Sequence, residues 1–152
     1  MRNLLILFVA AIFLSPAFAA KMPMPSDMPK SYDAECASCH MAYPPGLLSE
    51  ASWQNMMGSL NKHFGTDASI DQKDQAEITS WLKKNAATRQ KYSELAPDNR
   101  ITKTSWFIRK HDEIKPDVWK RQGIKSPANC GACHINAAEG IFSEKNISIP
   151  TK

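Results

Sequence analysis

Two short segments constrain this chain more than any other feature: Cys36-Ala37-Ser38-Cys39-His40 and Cys130-Gly131-Ala132-Cys133-His134. Together they use all four cysteines and two of the four histidines. Cys-x-x-Cys-His is the pattern by which a c-type haem is attached. Two thiols separated by two residues reach both vinyl groups of one porphyrin from a single turn of chain. The adjacent imidazole is then placed to face the iron. Two copies with no cysteine left over read as two covalently bound haems c, held through Cys36, Cys39, Cys130 and Cys133. Other uses of the cysteines fit less well. Paired zinc knuckles sit roughly 15–20 residues apart, whereas 90 residues separate Cys39 from Cys130. A thioredoxin-like dithiol belongs in a βαβ context, and no strand pattern flanks either motif. Two disulfides would suit an exported chain but leave the histidine after each pair unexplained.

The histidine count extends the reading. His40 and His134 stand inside the motifs as proximal iron ligands, which leaves His63 and His111 for the two opposite axial positions. On a helix over residues 49–65, His63 borders an apolar arc of about 120° formed by Trp53, Met56, Met57, Leu60 and Phe64. On a second helix over 101–114, His111 lies on the more apolar face with Phe107 and Ile108. These seven apolar residues are the expected pocket lining. Methionine is the competing axial ligand. Met41 is too close to His40 in sequence to cross the ring, and Met56 and Met57 read as gap-filling side chains of the pocket. Two histidines per iron, with no methionine or charged ligand, predict low reduction potentials.

Residues 1–20 have the layout of a secretory signal: Arg2, an apolar run from Leu4 to Leu14, Pro16, and Ala17-Phe18-Ala19. Eleven apolar residues are too few for a helix that needs about 20 to span a bilayer. The expectation is an exported, periplasmic protein beginning near Ala20 or Lys21, with no membrane span once the signal is removed. Loss of Arg2 lowers the net charge from +4 to +3, since 18 basic residues then face 15 acidic ones. Without a basic block, that balance argues against nucleic-acid binding. Lys83-Lys84 and Lys120-Arg121 are candidate docking patches, though plain solvated faces are the preferred reading of both. Much of the 43% hydrophobic content lies in the signal, so the remainder is short of core residues and calls for a cofactor or cross-links.

The expected organisation is all-α, a small helical protein with two haem-bearing halves. Residues 21–30 read as a loose Pro- and Met-rich arm, 31–88 as the first haem domain, 89–100 as a linker and 101–152 as the second. Within the first half, a short helix carries Cys36–His40 and stops at Pro44-Pro45-Gly46. Ser49 caps the helix of His63, which Gly65 ends, and Asp71 caps a third helix over residues 72–85. Pro97-Asp98-Asn99 marks a turn in the linker. In the second half, residues 129–138 form a helix bearing the second motif, and 146–152 a loose tail.

The segments around both motifs resemble those of bacterial dihaem cytochromes c. They are residues 35–65, from Glu35-Cys36 through Tyr43-Pro44-Pro45-Gly46 and Trp53 to His63-Phe64-Gly65, and Asn129–His134 followed by Ala137-Ala138-Glu139-Gly140. The first half, through Trp81-Leu82, also resembles a class I cytochrome c domain with His63 in place of the usual methionine. The resemblance implies two haems c with two histidine ligands each, in a periplasmic electron carrier. It further implies redox partners such as a membrane b-type cytochrome or a small oxygen-binding c-type haem protein. The rival readings are a small haem enzyme (a peroxidase or nitrogen-oxide reductase) and an oxygen-binding protein. Each needs one iron left open, with His63 or His111 acting as something other than a ligand.

Overall fold

Asp71 starts the longest helix among the described residues. Its carboxylate accepts a hydrogen bond from the Lys73 amide at 2.8 Å, satisfying one of the amides that a helix start leaves unpaired. The structure is a computed structural model describing residues 21–152; the export signal expected over 1–20 lies outside the described residues. Helix α1 is Lys30–Cys36, α2 Glu50–Met57, α3 Gln72–Lys84 and α4 Ser105–Lys110. Single 3-10 turns joined by loops and bends make up the rest of the described residues. Among the described residues there is no strand, only isolated bridges such as Lys21 with Ile141, and no helix is long and apolar enough to cross a membrane.

The core sits between α2 and α3. Ile78, Trp81 and Leu82 recur at helical spacing on one side of α3, and all three are buried. They meet Trp53 and Met57 of α2, Tyr32 of α1, Leu48 and Ala96. Ser49 caps α2 as expected, its hydroxyl accepting from the Ser52 amide at 3.2 Å. A second, smaller core joins Leu47 and Tyr92 to Trp106 and Phe107 of α4. Tyr43 and Ile101 pack against both cores.

Several expected boundaries are corrected. The helix expected over 49–65 stops at Met57. Gly58 and Ser59 follow, and the Ser59 hydroxyl donates to the Asn55 carbonyl at 2.8 Å. Glycine costs about 1 kcal/mol in a helix interior, and serine competes for backbone partners, so the apolar periodicity that continues to Phe64 loses to local chemistry. His63 follows a separate turn, Leu60–Lys62. The helix expected over 101–114 is a turn at Ile101–Lys103 and then α4, reset at Thr104, whose hydroxyl accepts from the Phe107 amide at 3.3 Å. Residues 129–138 form two 3-10 turns, Cys130–Ala132 and Ala137–Glu139, in place of a helix.

Segments expected to be loose are held. In the arm, Asp27 accepts from Trp81 Nε1 at 3.1 Å and Lys84 Nζ at 2.7 Å. Met24 and Met28 pack on the first core, and the Met22 amide donates to the Gly140 carbonyl at 2.8 Å. At the other end, Arg121 binds the Pro150 carbonyl at 2.8 Å and the Gly123 amide donates to that of Lys152 at 2.9 Å. In the segment read as a linker, Ala96 is buried and its amide donates to Ser52 Oγ at 2.9 Å. The Lys83-Lys84 patch is taken up by ion pairs to Glu50 and Asp27.

Candidate haem sites

The first motif begins where α1 ends. Cys36 is the last residue of that helix, and Ala37–His40 turn away from it. The His40 ring is fixed by its own neighbour: Nδ1 lies 2.7 Å from the Met41 carbonyl oxygen. A carbonyl can only accept, so Nδ1 carries the proton and Nε2 keeps the lone pair that a metal needs. His63 reaches the same place from the turn after α2. Phe64 and Gly65 follow with φ of +53° and +101°, and this reversal, closed by the Thr66 amide donating to the His63 carbonyl at 3.0 Å, holds His63 at its apex. The two imidazoles stand 6.1 Å apart between ring centres, with planes 27° from parallel. Burial, then His40 and then Arg100 lower the pKa of His63, which favours the neutral ligand form.

The second site is built differently. His111 is the residue just past α4, and its Nδ1 is 2.9 Å from the Phe107 carbonyl oxygen, four residues back. That bond satisfies one of the carbonyls a helix end leaves open and directs Nε2 away from the helix. Phe107 also lies flat against the His111 ring, 4.0 Å between centres at 22°, with Trp119 on another side at 5.8 Å. His134 is held by its own amide donating to the Cys130 carbonyl at 2.8 Å and by Phe142, edge-on at 5.6 Å. His134 and His111 stand 6.1 Å apart with planes at 84°. The Nδ1 of His134 is buried with no hydrogen-bond partner among the described residues. Its pKa is lowered by burial and then by His111.

Each pair has the separation that two imidazoles sharing one metal would have. A metal–imidazole bond is about 2 Å and the ring centre lies about 1.1 Å further on, so two imidazoles across one iron stand about 6 Å apart. Among the described residues the four cysteines form no disulfide; Cys36 and Cys130 are half-buried, and burial pushes each thiol up to about 11. Among the described residues, no group of three or more His, Cys, Asp or Glu side chains converges as a cage for a bare metal ion.

The expected lining residues divide. Phe107 and Phe64 lie directly against the rings of His111 and His63, Phe64 at 4.7 Å from His63. Trp53 and Met57 are buried in the α2–α3 core with Met56 and Leu60 packed on it, while Ile108 is 58% exposed. Sequence reasoning missed Trp119, Phe142, Arg100, whose guanidinium covers the Phe64 ring at 3.9 Å, and Tyr43, whose ring is 4.8 Å from that of His40. Only the closeness of Tyr43 to His40 in sequence could have signalled it. The others meet their histidines through the tertiary fold.

An all-helical scaffold that presents each Cys-x-x-Cys-His motif to a second, facing histidine defines a small c-type cytochrome with two haem sites. The dihaem cytochrome c family matches over residues 32–142, and the chain belongs to that family. Its fold is similar to the crystal structure of a diheme cytochrome type c from Shewanella baltica, at 38% identity and a TM-score of 0.71, covering 82% of this chain and 96% of that one. It is also similar to a diheme cytochrome c of Rhodobacter sphaeroides, at 40% identity and a TM-score of 0.66, covering 78% and 99%. No curated protein matches the chain. Family membership gives the chain two covalently bound haems c, for which the four cysteines are present.

Proposed function

We propose that this protein is a periplasmic electron carrier whose two low-potential haems are each closed by two histidines, His40 with His63 and His134 with His111. The observation that carries this reading is the repeated 6.1 Å spacing of two imidazole pairs, each with one member beside a pair of thiols. A bound haem supplies a one-electron ferric–ferrous couple. The residues of the chain do the rest. His63 and His111 would hold the iron position that a substrate would otherwise take, which would leave outer-sphere transfer as the available chemistry. Hydrogen bonds from His40 and His111 to backbone carbonyls raise the basicity of those ligands, and basic ligands favour the ferric state and a low potential. On this reading the partners are redox proteins, such as a membrane b-type cytochrome or a small oxygen-binding c-type haem protein.

An open-iron enzyme or oxygen carrier requires one of the two spare histidines to stand off from its partner. The equal 6.1 Å separation of the two pairs supports the closed reading over either alternative. Near-infrared magnetic circular dichroism of the oxidised holoprotein tests the assignment, because the charge-transfer band of a low-spin ferric haem reports its ligand pair. Two histidine–histidine bands are expected. A histidine–methionine band or a high-spin signal would contradict the reading.

A further inference from the structure

Tyr43 is placed between the two sites and held at three points. Its ring is 4.8 Å from that of His40, tilted 32°. Its carbonyl accepts from the Tyr32 hydroxyl at 2.7 Å, which fixes the backbone. Its own hydroxyl donates at 2.7 Å to the carbonyl of Ala128, 85 residues away in sequence. That carbonyl also accepts from the Cys130 amide at 3.0 Å, and Cys130 Sγ lies 3.6 Å from it. Ligand ring, phenol, peptide carbonyl and attachment cysteine therefore form one continuous sequence of contacts from the first site to the second. Both cores pack against the same side chain.

We propose that Tyr43 carries the electronic contact between the two haem sites, through its ring to His40 and through the Ala128 carbonyl to Cys130. A packed ring and two short hydrogen bonds couple donor and acceptor better than the through-space gaps that would replace them. One electron leaves the ferrous iron of one site and arrives at the ferric iron of the other, so one iron is oxidised and one reduced. No bond forms or breaks, and Tyr43 remains a neutral phenol throughout. This inference rests on the reading of the protein as a two-haem electron carrier.

The test uses half-reduced holoprotein and two-dimensional exchange NMR, following haem methyl signals at several protein concentrations to isolate the intramolecular rate. Tyr43→Phe, which keeps the ring and loses the hydroxyl, is expected to slow exchange several-fold. Tyr43→Leu, which loses both, is expected to slow it further. Midpoint potentials and low-spin spectra of Tyr43→Phe, which keeps the ring against His40, are expected to match the wild type, which a merely structural disturbance would not allow; the Tyr43→Leu rate is compared at equal driving force. If Tyr43→Leu does not fold, the Tyr43→Phe rate decides alone. Exchange at the wild-type rate in Tyr43→Phe, or a slowing that disappears at equal driving force, would overturn the proposal. Carbon monoxide uptake by the wild type would overturn the underlying carrier reading, whereas a wild type inert to carbon monoxide with unchanged exchange in the variants overturns the relay alone.

Discussion

The imidazole rings of His111 and His134 stand 6.1 Å apart between centres with their planes at 84°, nearly perpendicular. His40 and His63 have the same spacing but lie 27° from parallel. The difference comes from what holds each ring. Phe107 clamps His111 by its carbonyl and by its face, whereas His40 is tied to the adjacent Met41 carbonyl and touched by Tyr43.

Ligand-plane angle controls the splitting of the iron d orbitals, so the oxidised holoprotein is predicted to give two distinct low-spin electron paramagnetic resonance signals. The near-parallel pair gives a rhombic spectrum, and the near-perpendicular pair a highly anisotropic one with its main feature at larger g. Replacing Phe107 by Leu removes the stacked ring but keeps the carbonyl, and is predicted to shift the anisotropic signal alone. Identical signals from both haems would contradict the geometry.

Single His63→Ala and His111→Ala variants are predicted to open one iron each, giving a high-spin, ligand-binding haem at that site. The His111 change also strips the hydrogen bond that closes α4, at a cost of about 1 kcal/mol. Thermal unfolding of the two variants checks the difference, with His111→Ala melting lower once the loss of a ligand common to both is discounted.

Ser52 tests how firmly residues 89–100 are docked. The Ser52 side chain is fully buried, and its hydroxyl accepts from the Ala96 amide at 2.9 Å while pairing with Ser49 Oγ at 2.9 Å. Ser52→Ala orphans a buried amide, so a loss of about 1–3 kcal/mol is predicted by denaturant unfolding. A change near zero would mean that this segment is not packed on α2.

The Asp27 carboxylate is held below its ordinary 3.8, first by its hydrogen bond from Lys84 and then by that from Trp81. A carboxylate lowered by folding stabilises the fold above its unfolded value, and that contribution is lost as the pH falls through the folded one. The Asp27 anchor of the arm is therefore complete at neutral pH and is lost only in acid, below 3.8, while Met24, Met28 and the Met22 amide hold independently of it. In the reduced, diamagnetic protein the Trp81 indole N–H signal is predicted to shift with a midpoint under that value, and Asp27→Asn to abolish the shift. A midpoint at or above 3.8 would refute the contact.

Much of this was legible from local signals. The motif cysteines and histidines, the caps Ser49 and Asp71, and the buried side of α3 depend on neighbours within a few residues. The lengths of the other helices were not. Leu60 and Phe64 extend the apolar period of α2 past Gly58-Ser59, and only the competing backbone bonds show where it stops. The second motif was expected on a helix, but Gly131 and the interruption at Asn136 allow only single turns. The arm and the C-terminal residues looked loose because what holds them is far away in sequence: Asp27 reaches Trp81, Met22 reaches Gly140, and Pro150 reaches Arg121. The histidine count and the helical wheels both point to His63 and His111, but the wheels do so on helices that end earlier, since His63 lies beyond α2 and His111 just past α4.

The visible spectrum of the reduced holoprotein, recorded before and after adding carbon monoxide, tests the central claim most directly. With His63 and His111 closing the two irons, the spectrum is predicted to stay unchanged. A shifted Soret band at either haem would show an open or readily displaced ligand and contradict the account.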